Sequence, residues 1–217
     1  LGLSGKQLET WHELTAHPNG IILVTGPTGS GKTTTLYSTL KQLATEQVNV
    51  CTIEDPIEMI EPAFNQMQVN PGVDLHFADG IRSLMRQDPD IIMVGEIRDA
   101  ETANRAVQAS LTGHLVLSTL HTNDAPSSIT RLHDLGIQPF LTSATILGVM
   151  AQRLLRTLCP HCKQAVDVTA DSEIAIQWQE LVQPWRAPVP AQVYKAQGCE
   201  HCRHTGYQGR VGLYEIM

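Results

Sequence analysis

Ile21-Ile22-Leu23-Val24-Thr25-Gly26-Pro27-Thr28-Gly29-Ser30-Gly31-Lys32-Thr33-Thr34-Thr35 decides the fold of this chain. Its first third is a short apolar run entered from the Asn19-Gly20 turn, the pattern of a buried strand. From Gly26 it satisfies G-x-x-x-x-G-K-[ST], and Leu36, Leu40 and Leu43 then follow at helical spacing. A strand, a glycine-rich loop and a helix in that order make a phosphate cradle. Gly26, Gly29 and Gly31 let the chain turn and aim the N–H groups of Pro27 to Thr34, proline excepted, at phosphate oxygens. Lys32 brings a positive charge to the terminal phosphates, and the Thr33 hydroxyl is a ligand for Mg²⁺.

Outside this stretch the chain is ordinary. Its 217 residues suffice for one large domain, or for a domain and a small module. A net charge of −7 argues against a broad basic surface for nucleic acid or for anionic membranes. No apolar run approaches the roughly 18 residues of a membrane span, and no signal-peptide pattern opens the sequence. The expected location is therefore the cytosol, where thiols stay reduced and the five cysteines are not expected to pair as disulfides. A start at Leu1 reads as a piece of a longer protein.

The pattern of elements is α/β. Ser4 and Gln7 form a capping-box signature ahead of Leu8, Trp11 and Leu14, predicting a short packing helix. Val48 to Ile53, Ile91 to Val94 and Leu115 to Thr119 read as further buried strands. Between them fall helices from Asp79 to Gln87 and from an Asp99 cap to a stop at Gly113. Two more are predicted from Ala125 to Leu135 and from Gln138 to Leu155. Residues 166–197, rich in proline, read as an insertion with one helix near Ser172 to Val182. Alternating apolar strands and amphipathic helices predict a mostly parallel sheet covered on both faces. Ligands of such sheets sit at the carboxyl ends of strands. The phosphate loop, Glu54, Glu96 and His121 all come just after a strand, so one sheet edge is expected to gather them.

Hydrolysis of a phosphoanhydride needs charge neutralisation, a metal ion and a group that positions the attacking water. Glu96 is the candidate for the last task. An acidic residue commonly precedes it in the Walker B pattern, but Gly95 stands there and Glu96 must act alone. Glu54, with Asp55 and Glu58, is a second acidic cluster for water or Mg²⁺, and a solvated acidic turn is the alternative. His121 is a candidate γ-phosphate sensor. Of Arg82, Arg86, Arg98 and Arg131, Arg98 is singled out for cationic stabilisation.

Cys159-Pro160-His161-Cys162 and Cys199-Glu200-His201-Cys202 form two C-x-x-C pairs, a ligand set for tetrahedral zinc. All four positions filled argues for a structural ion that clips the insertion to the domain. Redox-active pairs, or substitution by His161, His201 or His204, are the alternatives. Cys51 reads as a buried small hydrophobe. The expected domains are a core over 1–155 and, over 156–217, a zinc-binding module with an insertion and a return to the core.

Gly26 to Thr35, Ile53 to Glu58, Arg86 to Asp99 and Thr112 to Asn123, taken together and in this order, resemble the secretion-ATPase superfamily. The match is nearest to ATPases of type II secretion and type IV pilus assembly, and covers Asn19 to Lys163 and Gly198 to Met217. In family terms these segments are the Walker A motif, the Asp box, an atypical Walker B motif and the His box. The resemblance implies a RecA-like P-loop core working as a homo-hexamer that uses ATP and Mg²⁺ to drive an inner-membrane platform protein. It implies a cytoplasmic protein held at the inner membrane through partners, with no direct contact to nucleic acid. The four cysteines resemble the assembly branch, and amino-terminal domains that complete the pocket lie outside this chain. A nucleic-acid-translocating ATPase of a conjugation or DNA-uptake system is the alternative, as is a module that binds ATP without useful turnover.

Overall fold

The computed structural model describes residues 2–168, 172–182, 188 and 190–217. By contact density the chain divides into two units, one of Leu1–Leu154 with Gly212–Met217 and one of Leu155–Val211.

In the first unit, helix α1 (Gly5–Thr15) precedes strand β1 (Gly20–Thr25) and helix α2 (Lys32–Leu43). Strands β2 (Val50–Glu54) and β3 (Asn65–Gln68) follow, then α3 (Phe77–Leu84), β4 (Ile91–Val94), α4 (Ala100–Leu111) and β5 (Leu115–Leu120). Helices α5 (Ala125–Asp134) and α6 (Pro139–Thr145) lead into the long strand β6 (Ile146–Leu158). The final strand, β9 (Tyr207–Ile216), brings the chain back, and the sheet order is β3-β2-β4-β5-β1-β6-β9. Pairings of β1 with β5 and β6, of β2 with β3 and β4, and of β4 with β5 are parallel. Reciprocal hydrogen bonds between Val149 and Met217, at 2.9 and 3.0 Å, mark an antiparallel join of β6 to the end of the chain.

Alternation along the strands builds two cores. Ile21 and Leu23 of β1 pack with Ile53, Ile92 and Val116 under α3, α4 and α5. Ile22 and Val24 point the other way and pack with Met93, Leu117, Leu36 and Trp11 under α1 and α2. Strands buried on both faces read as unbroken apolar runs, which is why β1, β4 and β5 are visible in the sequence. Trp11 locks α1 to α2 by donating from Nε1 to Thr39 Oγ1 at 3.1 Å. The Ser4 side chain makes no cap hydrogen bond, so the capping-box signature marks the helix start without forming the box.

Two sequence expectations are corrected, and one strand falls where none was expected. The helix expected from Gln138 to Leu155 ends at Thr145, and the apolar run beyond it is β6. Gly148 accounts for the change. A Cβ there would press on the Leu14 methyls at 2.6 Å, so β6 passes close beneath α1, and glycine also weakens a helix. Helix α3 starts at Phe77 rather than Asp79, because His76 and Asp79 form a reciprocal capping box. Strand β3, Asn65-Gln66-Met67-Gln68, carries no apolar alternation and no element was predicted there; it is an edge strand with half-solvated side chains.

The second unit holds the cysteine pairs, the helix α7 (Ser172–Val182) and an antiparallel pair of β7 (Gln164–Asp167) with β8 (Gln192–Lys195). The helix falls where the sequence predicted it. Gly212–Met217, the end of the segment expected to return to the core, belongs by contacts to the first unit. Among the described residues no helix is long and apolar enough to cross a membrane.

Candidate nucleotide and metal sites

The sheet order puts β5 between β1 and β4, so three strand ends stand side by side. The phosphate loop leaves β1, His121 follows β5 and Glu96 follows β4. Hydrogen bonds tie these ends together. Thr25 Oγ1 meets the carbonyls of Leu120 and Thr122 at 3.0 and 3.1 Å and accepts from the Thr122 N–H at 2.8 Å. Ile97 N–H donates to Thr119 O at 3.0 Å, and Thr119 Oγ1 to Gly95 O at 2.7 Å. The rim is thereby a cross-linked frame.

Two glycines allow the loop to sit where it does. Gly26 has φ +144°, and a side chain there would collide with the carbonyl of Gln152 on β6. Gly31, at φ +87°, occupies the left-handed region at the start of α2. Pro27, Thr28 and Gly29 are exposed, whereas Ser30 and Lys32 are buried. Lys32 Nζ curls back to the carbonyls of Gly26 and Pro27 at 3.0 and 3.2 Å. Burial pushes its ammonium below the usual lysine range, and the charges of Glu96 and Glu58 partly restore it. Ser30 Oγ is buried with no hydrogen-bond partner. A buried cation hydrogen-bonded to two carbonyls and an orphaned hydroxyl, both at a helix start, form a site complementary to phosphate. Thr33 and Thr34, at half-buried and exposed positions on the first turn of α2, complete the set the sequence assigned to nucleotide and Mg²⁺.

Glu96 has a largely buried carboxylate. Its Oε2 lies 2.6 Å from Arg98 Nε and 3.5 Å from His121 Nε2. Three of the predicted residues thus meet within one contact shell. The missing acid before Glu96 has a steric correlate: a Cβ at Gly95 would stand 3.3 Å from Ile53 O and 3.4 Å from Glu54 Cα. Glu54 sits apart from this shell and is occupied by protein. Tyr37 donates to its two oxygens at 2.8 and 2.7 Å, Thr52 Oγ1 donates at 2.6 Å and Gln66 Nε2 approaches at 3.4 Å. Burial, then the hydrogen bond to Glu54, pushes the Tyr37 hydroxyl well above the usual phenol range. Glu58 and Asp55, one and four residues short of Met59, are exposed.

Of the remaining arginines, Arg82 and Arg86 are exposed on and just after α3, and Arg131 Nη2 reaches the carbonyl of Arg98 at 3.4 Å. His114 does not face the rim. Its Nδ1 lies 2.9 Å from Ala109 O, closing the end of α4.

In the second unit the four thiols of Cys159, Cys162, Cys199 and Cys202 lie within 4.8 Å of one another. The sulfur separations of 4.0 Å (Cys159 to Cys199), 3.8 Å (Cys162 to Cys202) and 3.8 Å (Cys199 to Cys202) can be compared with a tetrahedron. Zn–S bonds of about 2.3 Å give edges of about 3.8 Å, so the donor set fits zinc. Backbone N–H groups of Cys199 and Gly206 point at Cys202 Sγ, each at 3.2 Å, and that of Gly198 at Cys162 Sγ at 3.3 Å. Such bonds favour thiolates and orient them for a cation.

Residues 1–217 match the sequence profile of the family described as "Type II/IV secretion system protein". The chain belongs to this family. The match runs through residues 163–197, which the motif resemblance had left uncovered. Over 217 residues the chain is 69% identical to the type IV pilus assembly ATPase TfpB of Acinetobacter baylyi, covering all of this chain and 36% of that protein. It is 53% identical to the type II secretion system ATPase E of Vibrio cholerae over 217 residues, again the whole of this chain and 42% of that protein. The secretion-family chain therefore spans about two fifths or less of these relatives.

Among solved structures it is similar to the pilus retraction motor PilT with bound ADP, at 35% identity and a TM-score of 0.63, over 84% of this chain and 58% of that one. It is also similar to the Legionella pneumophila ATPase DotB, at 36% identity and a TM-score of 0.61, over 69% and 44%. The core is accordingly the RecA-like α/β fold of the secretion motors, with a four-cysteine cluster in the second unit.

Sequence reasoning overlooked several residues of the site. Tyr37 was read only as a helix position, and Gln66 lay in an unrecognised strand. Gln152 was hidden inside a helix that is a strand; placing it beside β1 puts it at the level of the loop.

Proposed function

We propose that this chain is the motor portion of a hexameric, Mg²⁺-dependent ATPase that powers type II secretion or type IV pilus assembly. The observation that carries the proposal is the meeting of the phosphate loop, Glu96, Arg98 and His121 on one cross-linked rim. ATP would supply the scissile anhydride, and Mg²⁺ would neutralise charge on its phosphates. The loop N–H groups and Lys32 would bind the phosphates, and Thr33 would hold the metal. Glu96 accepts a hydrogen bond from the attacking water and orients it toward the γ-phosphorus. Arg98 and His121 hold the Glu96 carboxylate and turn toward the developing phosphate charge when substrate fills the rim. Glu54 contributes from a distance by holding β2 to α2, which fixes where the acidic turn 55–58 stands.

Zinc held by Cys159, Cys162, Cys199 and Cys202 makes 156–217 a stapled module that ends in a return to the core over 1–155. The working assembly is a homo-hexamer at the cytoplasmic face of the inner membrane, bound to a platform protein, with no direct nucleic-acid contact. The isolated chain is a weak ATPase. Replacing Glu96 with Gln in the full-length protein should leave nucleotide binding within twofold and lower steady-state turnover by about 10²-fold or more. Undiminished hydrolysis by Glu96→Gln refutes the assigned role.

A further inference from the structure

Gln152 is 3% exposed and lies 117 residues from one hydrogen-bond partner and 122 from the other. Its Nε2 donates to Ser30 O at 2.7 Å, and its Oε1 accepts from Thr35 Oγ1 at 2.7 Å. The orientation of the amide is not open, because the Ser30 carbonyl only accepts and must face the NH₂ end. Ser30 closes the phosphate loop, and Thr35 stands one turn into α2, with its N–H on Gly31 O at 3.0 Å. The amide therefore spans the bend where loop becomes helix. Register explains how it gets there. Ala151 pairs with Thr25, the last residue of β1, so the next residue of β6 comes level with the loop. The same residue also packs on the glycines: a Cβ on Gly31 would stand 2.9 Å from Gln152 Nε2, and one on Gly26 would meet the Gln152 carbonyl.

We propose that Gln152 is a positioning residue that sets the phosphate loop in its anion-binding shape before nucleotide arrives. The inference rests on reading Gly26–Thr34 as the nucleotide loop and goes beyond it by naming what holds that loop. Free glycine-rich backbone samples many conformations, and only a few aim successive N–H groups at one anion. Two short bonds to a buried strand remove that freedom in advance, so binding costs less order. Gln152 touches no phosphate in this scheme. It acts through the Ser30 carbonyl and the Thr35 hydroxyl.

The test compares Gln152→Leu, Gln152→Glu and Thr35→Val in the full-length protein by two measurements. One is hydrogen exchange of backbone amides 28–34 without nucleotide; the other is the affinity for a fluorescent ADP in Mg²⁺. Gln152→Leu should speed loop exchange and weaken ADP by about tenfold each, the usual cost of stranding a buried partner. Gln152→Glu keeps an acceptor for Thr35 but loses the donor to Ser30 and should behave alike. Thr35→Val should have a smaller effect and add nothing on top of Gln152→Leu, since the two remove a shared bond. If Gln152→Leu does not fold, the other two variants decide by the same readouts. Unchanged loop exchange and ADP affinity overturn the proposal, as does a lowered melting temperature with affinity intact. Faster loop exchange in the variants of a protein that binds no ADP at all leaves the brace standing and removes the nucleotide reading instead.

Discussion

Tyr37 and Glu54 show how much a single side chain is defined by its partners. Glu54 is a carboxylate with 3% exposure whose acceptors are filled by Tyr37, Thr52 and Gln66. Removing the hydroxyl in Tyr37→Phe leaves one oxygen of a buried anion short of its donor, which costs about 1–3 kcal/mol. Urea unfolding should therefore shift to lower denaturant by that amount; a change under about 0.5 kcal/mol would mean that the carboxylate has found another donor. In the sequence Glu54 was visible as an acid after a strand, because period and apolarity alone locate strand ends. Two of its partners were not visible: Tyr37 comes from α2 and Gln66 from an edge strand, and only tertiary packing brings them to Glu54. That Glu96 and His121 stand at one rim was legible for the opposite reason, since each comes just after a strand whose apolar run is unmistakable.

Elements differ in how strongly they announce themselves. The start of α4 is set locally. Asp99 accepts from the Thr102 N–H at 2.8 Å and from its hydroxyl at 3.0 Å, and the sequence alone placed this cap. Asp99→Ala should cost about 0.5–2 kcal/mol in thermal or urea unfolding. Because α4 follows Glu96 by only a few residues, the same variant should also raise exchange of the amides of 96–99. An unchanged stability would show that water replaces the cap. Strand β6 is the contrary case. Ile146-Leu147-Gly148-Val149-Met150-Ala151 carries too little periodicity to choose between helix and strand, and the choice falls to neighbours far away in sequence: β1 on one side and Met217 on the other. A misread element then conceals its residues, and Gln152 was lost for that reason alone.

For the molecule as a whole, the seven-stranded sheet stands on two packed faces, while the second unit owes less to apolar burial. Within Leu155–Val211 the buried side chains in the described residues include Cys159, Val168 and Cys202, two of them thiols. A region so lean in core depends on a cross-link. Native mass spectrometry should find one zinc per chain, lost in Cys159→Ser. Strong chelation should expose amides of 155–211 to exchange while those of β1, β4 and β5 stay protected. Metal-free wild-type protein with 155–211 fully protected would end the zinc reading. The cysteine spacing made this cluster legible, but the antiparallel β7 and β8 between the pairs were not, because short polar strands held by a staple need no apolar pattern of their own.

One consequence follows from β5 lying between β1 and β4. Neighbouring strands are about 4.8 Å apart, so the loop and the Glu96 segment leave the sheet about 10 Å from each other. A guest anchored at one bank must be long enough to touch the other. On the proposed reading the intervening strand is a ruler: a shorter guest would leave the far bank idle, one unit more of length would close the span, and reach alone would tell the two apart before any bond is broken.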